Sequence, residues 1–165
     1  MSNYITSNFS NLIFSCSVPS QWHMEHRVPD HCVVFVRQGK LLISDKGRTE
    51  EIPAGSCVFL KKDCSVRLVK ASFAGKNYEG LNIRLPQNIL EDYLQRHLKN
   101  NEFPQDFTGL SNCFMRLNRT LCLQGLLSSI ILFVEEGQDP GQEMTELKVE
   151  ELILDLLQTN IRFFP

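Results

Sequence analysis

The stretch His31–Lys70, HCVVFVRQGKLLISDKGRTEEIPAGSCVFLKKDCSVRLVK, is a series of short apolar runs broken by turn chemistry. Cys32–Val36 is rich in Val and Phe and ends at Gln38-Gly39. Lys40–Ser44 ends at Asp45-Lys46-Gly47, Glu51–Ile52 at Pro53-Ala54-Gly55, and Val58–Leu60 at Lys61-Lys62-Asp63, after which Ser65–Lys70 follows. Such β-branched runs, recurring roughly every 8–12 residues between Gly, Pro and Asp, predict an antiparallel sandwich or barrel. The gaps hold no helical pattern, which excludes parallel βαβ units.

Alternation sharpens this. Val66 and Leu68 share one face, with Ser65, Arg67 and Val69 on the other. Val33 and Phe35 lie opposite Cys32, Val34 and Val36, so this strand is apolar on both faces. It is expected at the centre of a sheet, with a further layer covering the barrel wall.

Working outward, Asn11–Val18 and Trp22–Val28 are strand candidates closed by Pro19 and Pro29, with a short strand near Tyr4–Thr6 before them. Lys76–Leu85 alternates through Tyr78, Leu81, Ile83 and Leu85 and stops at Pro86. The period then changes. Ile89, Leu90, Tyr93, Leu94 and His97 fall at helical spacing over 86–98, with Pro86 suited to the first turn. After a connector over 102–112, a helix is expected over Arg119–Glu135, with Leu121, Cys122, Gly125, Leu126, Ser129, Ile130 and Phe133 near one face. Gly137–Gly141 breaks it, and Thr145–Ile161 forms the last helix.

That last helix carries two apolar stripes. One is Leu147, Glu150, Leu154, Leu157 and Ile161; the other is Val149, Leu152, Ile153, Leu156 and Asn160. Both must be buried. One packs within the chain, and the other predicts a homodimer formed through the C-terminal helices. The competing reading is a wide stripe buried within one subunit.

Composition bounds the function. The chain has 165 residues, a net charge of −2, a pI near 6.1, 42% hydrophobic and 22% charged residues, as in an ordinary globular protein. Near-neutral charge argues against a nucleic-acid surface in this chain. No apolar run reaches the roughly 18 residues of a membrane span, and the N-terminus has no signal-peptide pattern. Of the six cysteines, none forms a C-x-x-C pair, and several sit in apolar patterns. They are read as small core hydrophobes rather than a disulfide framework.

The succession of strand, Gly39, strand, turn, strand, Pro53-x-Gly55 and strand resembles the cupin barrel. More narrowly it resembles the N-terminal sensor domain of AraC/XylS-family transcription regulators. The stretch 23–70, with Leu147-Lys148-Val149-Glu150-Glu151-Leu152 after it, is most similar to the branch of ExsA-type activators. The resemblance implies an α+β fold: a cupin-like sensor barrel over 11–85 and a helical dimerisation region over 86–165. It further implies a cytoplasmic activator whose DNA contacts lie in a helix-turn-helix domain beyond this chain, so that this portion touches neither DNA nor membrane. Relatives respond to sugars, fatty acids or a regulatory protein. An inward wall of Val34, Val36, Leu42, Phe59 and Leu68, rimmed by His26, Arg27 and Arg67, would suit a small amphipathic ligand, unless side chains fill so small a barrel.

The competing class is a metal-dependent cupin enzyme, an isomerase or dioxygenase. His23, Glu25, His26, Asp30 and His31 supply donor types for Zn, Fe or Mn. However, His23 and His26 fall on opposite faces of a strand. Cys32 and Val58 stand where metal-binding cupins place a carboxylate and a His. The adjacent pair His31 and Cys32 diverges on a strand and cannot act as base and nucleophile. No nucleophile elbow, phosphate loop or dinucleotide fingerprint occurs. Glu50-Glu51 and Glu135-Glu136 are read as solvated charge. The expectation is no catalytic residue, no metal and no cofactor.

Overall fold

The computed structural model describes residues 4–97 and 112–159. The elements are β1 (Tyr4–Phe9), β2 (Ile13–Val18), β3 (Trp22–Arg27), β4 (His31–Gln38), β5 (Lys40–Asp45), β6 (Arg48–Pro53), β7 (Cys57–Leu60), β8 (Ser65–Ala71), β9 (Tyr78–Leu85), α1 (Gln87–His97), β10 (Phe114–Arg116), α2 (Leu121–Glu136) and α3 (Gln142–Thr159). One sheet has the order β1-β2-β9-β4-β7-β10 and the other β3-β8-β5-β6; every pairing is antiparallel. Between β2 and β9 the chain crosses from one sheet to the other at every connection except the β5–β6 hairpin, which stays within the smaller sheet. The result is a cupin-like barrel flattened into two facing sheets, with helices on the outer face of the larger: an α+β fold, as the resemblance implies.

Period-two alternation on β4 produces two cores. Val34 and Val36 join Leu41, Ile43, Ile52, Val58, Leu60 and Leu68 between the sheets. Val33 and Phe35 join Phe59, Leu81 and Ile83 beneath Leu90, Leu126, Ile130, Val149 and Ile153 of the helices. β4 lies between β9 and β7, the central place expected of a strand apolar on both faces.

Gly39 joins β4 to β5 at φ 74°, and an added Cβ would lie 2.5 Å from the Ala71 carbonyl oxygen and 2.8 Å from Tyr78 Cα. Only glycine fits there. On the helical side, Thr120 caps α2 and Gly137, at φ 63°, closes it. Thr120 bonds to Asp155 and Lys148 Nζ to Ser129 Oγ, so α2 and α3 run antiparallel as a hairpin.

Several expectations are corrected. β1 occupies all of Tyr4–Phe9, ahead of the barrel start read at residue 11, and α3 begins at Gln142 rather than Thr145. In α2 the buried face is Leu123, Leu126, Leu127 and Ile130, whereas Leu121 is 86% exposed and Cys122 is also exposed. The helix is rotated so that its longest apolar stripe meets the sheet and α3. β10 was not expected. Its three residues are held by the edge of β7 and by burial of Phe114. The cysteines divide: Cys32 and Cys57 are buried, as read, but Cys64 and Cys113 are disulfide-bonded. Forty-nine residues separate them, and only the fold brings the β7–β8 turn beside the start of β10.

Candidate functional site

Of the ligand wall expected from sequence, Val34, Val36 and Leu68 do face the space between the sheets. Leu42 and Phe59 face away from it. On β5 the buried positions are Leu41 and Ile43, with Leu42 between them turned outward. On β7 the interior positions are Val58 and Leu60, while Phe59 packs under the helices and stacks on His31 at 5.4 Å. A one-residue error of parity reverses a strand's faces, and neither run shows its parity locally. Arg27 and Arg67 do not rim the interior. They line an open groove of about 680 Å³ beside Asp63, Cys64 and Cys113. The side chain of His26 lies outside the described residues.

The interior has a polar end that the sequence reading missed. Lys70 follows Val66 and Leu68 at period two on β8 and so projects between the sheets. Its Nζ lies 3.5 Å from Cys16 Sγ, 5.0 Å from the Trp22 ring and 5.5 Å from the Tyr78 ring. Two aromatic faces thus hold the cation in a largely apolar setting. From β9, Tyr78 and Asn82 share this face; among the described residues, the buried Tyr78 hydroxyl and Asn82 Oδ1 find no hydrogen-bond partner. Lys70, Tyr78 and Asn82 border a cavity of about 50 Å³ whose remaining walls include Met24, Val34 and Leu68. Burial pushes the Tyr78 hydroxyl above its ordinary titration range. The arrangement offers a cation and a hydroxyl donor at the end of an apolar box, which suits a head group carrying oxygen.

Nucleophilic chemistry has little support here. Burial drives the Cys32 thiol up to about 12, with Asp30 adding to the effect, and burial drives Cys57 up to about 12. Both are protonated at neutral pH. Among the described residues, no group of three or more His, Cys, Asp and Glu is placed to hold a metal. His23 is exposed, Asp30 accepts from Arg84 Nη2 at 2.6 Å, and buried His31 accepts at Nδ1 from the Lys62 amide at 3.0 Å.

Ion pairs tie the larger sheet to α2 and α1 to α3. Arg37, at the end of β4, donates to Glu135 of α2 and lies 3.8 Å from Glu79 of β9. Arg96 of α1 donates to Glu150 of α3. The stripe proposed from sequence for α3 is therefore divided. Leu147 and Leu154 are 56% and 45% exposed, Glu150 is engaged by Arg96, Leu157 packs partly against the core, and Ile161 lies outside the described residues. Val149, Leu152, Ile153 and Leu156, from the other stripe, are fully buried in the chain's own core.

With this geometry in view, the likenesses to known proteins become informative. ToxT of Vibrio cholerae, in an apo variant, superposes with a TM-score of 0.64 at 14% identity, over 88% of this chain and 55% of that one. Unsaturated fatty acid-bound ToxT superposes at 0.61 with 13% identity, over 89% and 53%. ToxT bound to a methylnaphthalenyl butenoic acid superposes at 0.57 with 13% identity, over 89% and 57%. These likenesses show a shared fold, and the chain spans a little over half the length of those structures. No curated protein matches the chain. A family model described as the ExsA N-terminal regulatory domain matches residues 31–163. The chain therefore belongs to the family of ExsA N-terminal regulatory domains, the sensing and regulatory portion of AraC-family regulators.

Proposed function

We propose that this chain is the signal-receiving and pairing half of a cytoplasmic transcription activator, with promoter DNA contacted by a helix-turn-helix domain elsewhere in the full protein. The barrel, from β1 to β9, receives the signal, and the helices that follow it pair two copies. One observation carries the pairing: α3 buries Val149, Leu152, Ile153 and Leu156 in its own subunit yet leaves Leu147 and Leu154, two turns apart, in solvent. Leu121 and Leu132 of the adjoining α2 are exposed as well. Two exposed leucines in register on a helix that already has a complete core support a second copy as the occupant.

The signal suited to the interior is a small amphipathic carboxylate. Lys70 and the Tyr78 hydroxyl would take its head and the Met24–Val34–Leu68 wall its chain. The acid-bound ToxT structures are consistent with this ligand class. A cavity of about 50 Å³ is well below the ~300 Å³ of ordinary ligand pockets, so the sheets must part to admit such a molecule. No catalytic role belongs to this reading.

Sedimentation velocity tests the pairing. Wild type should sediment as a dimer, and Leu154→Asp as a monomer with an unchanged circular dichroism spectrum. A wild type that stays monomeric at high concentration overturns it. For the ligand, oleate should bind wild type by calorimetry at least about tenfold more tightly than Lys70→Met. Equal binding by the two proteins removes Lys70 from the site.

A further inference from the structure

We infer that Cys64 and Cys113 form a thiol–disulfide exchange site that latches β10 to the sandwich, with a small peptide disulfide and its thiol as co-reactants. The inference goes beyond the sensing reading and holds whatever the barrel binds. Its first support is placement. The two Cα atoms are 5.5 Å apart, within the bonding range, and both residues are partly exposed. Of the other cysteines, Cys32 and Cys57 are buried, Cys122 is exposed on the surface of α2, and Cys16, partly exposed, lies beside Lys70 Nζ.

The second support is access. Both cysteines border the open groove of about 680 Å³, large enough for a tripeptide disulfide. Arg27, Lys46 and Arg67 alternate there with Glu25, Asp45 and Asp63. Mixed charge of this kind suits a zwitterionic peptide.

The third support is what the bond holds. Cys113 directly precedes β10, and its carbonyl accepts from the Lys61 amide at 2.8 Å. Phe114, 1% exposed, closes that end of the inter-sheet core. The chain then runs through Leu117, whose amide donates to the Cys57 carbonyl, to the Thr120 cap of α2. A three-residue edge strand belongs to the weakest part of a fold, so a covalent tie at the residue just before it governs how firmly it stays paired. Opening the tie loosens the lead into the helical hairpin.

The chemistry balances. For closure, the thiolate of one cysteine attacks a sulfur of the small disulfide, forming a mixed disulfide and expelling one thiolate. The second cysteine, as thiolate, attacks the protein sulfur of that mixed disulfide and expels the other thiolate. The protein dithiol is oxidised by two electrons, and the small disulfide is reduced to two thiols. Opening reverses these steps: two molecules of the small thiol are oxidised to the small disulfide, and the protein disulfide is reduced to the dithiol.

The test equilibrates the native chain in glutathione redox buffers and reads each cysteine by differential alkylation and peptide mass. Cys64 and Cys113 should change state together in one two-electron transition without unfolding. Hydrogen exchange at the β10 and Leu117 amides should rise about tenfold on reduction while β4 amides hold their rates. Cys113→Ser should match the reduced protein in exchange. A pair that stays bonded until the chain unfolds, a pair that stays reduced at every ratio, or β10 exchange that does not respond to reduction would each overturn the inference.

Discussion

The Thr120 hydroxyl donates to the Asp155 carboxylate over 2.8 Å and accepts from the Leu123 amide at 3.0 Å. One side chain thereby caps the start of α2 and ties it to the last turns of α3. Asp155 is 6% exposed among apolar neighbours. Thr120→Ala removes the cap and a partner of a buried carboxylate together. We expect a loss of about 2 kcal/mol in urea denaturation, against under about 1 kcal/mol for Thr120→Ser, which keeps the hydroxyl. Equal losses for the two variants would show that the hydroxyl contributes nothing.

Two glycines at positive φ should respond differently to one methyl group. At Gly39 the new Cβ meets backbone atoms of Ala71 and Tyr78 within 3 Å, and neither strand can retreat without breaking its ladder. At Gly55, φ 89°, the nearest atom is a guanidinium nitrogen of Arg119 at 3.4 Å, the end of a flexible chain. Gly39→Ala should cost about 3 kcal/mol or more, or abolish folding, and Gly55→Ala about 1–2 kcal/mol. Thermal unfolding of the pair checks the order.

Tyr78→Phe is expected to leave stability unchanged or raise it by up to about 1 kcal/mol. The hydroxyl is buried with no hydrogen-bond partner among the described residues, so removing it relieves a desolvation penalty. Carboxylate binding, if Tyr78 donates to the head group, should weaken in the same variant. A clear destabilisation on denaturant titration would mean that the hydroxyl is satisfied in solution.

Alkaline pH should destabilise the fold through its buried thiols. Cys32 and Cys57 titrate near 12 when folded, against an ordinary 9.0. Above about pH 9 the unfolded chain releases protons that the folded chain keeps. Stability then falls as pH rises towards 12, by up to roughly 1.4 kcal/mol per pH unit for each thiol. Denaturation in non-reducing buffer at about pH 8 and about pH 10.5 should show a smaller fall for Cys32→Ala/Cys57→Ala than for wild type.

Much of the architecture was legible from local pattern. The opposed faces of Cys32–Val36 place β4 at the sheet centre with a layer on each side, because period two assigns each residue to a wall. Pro86, Gly137 and Gly141 bound the helices to within a few residues, because helix ends are decided by chemistry one turn wide. The polar end of the interior was half legible: Lys70 carries the parity of Val66 and Leu68. That Tyr78 and Asn82 of β9 stand beside it follows from pairings far apart in the chain.

Short-range rules thus set the kinds of element, their order and the surplus apolar surface of the last helix, since each depends on residues within about two turns or one strand. The outward parity of Leu42 and Phe59, the seating of β10, the Cys64–Cys113 bond and the pocketing of Lys70 emerged on folding. Each depends on which face is buried once two sheets and three helices compete for the same apolar surface. No window of neighbouring residues contains that competition.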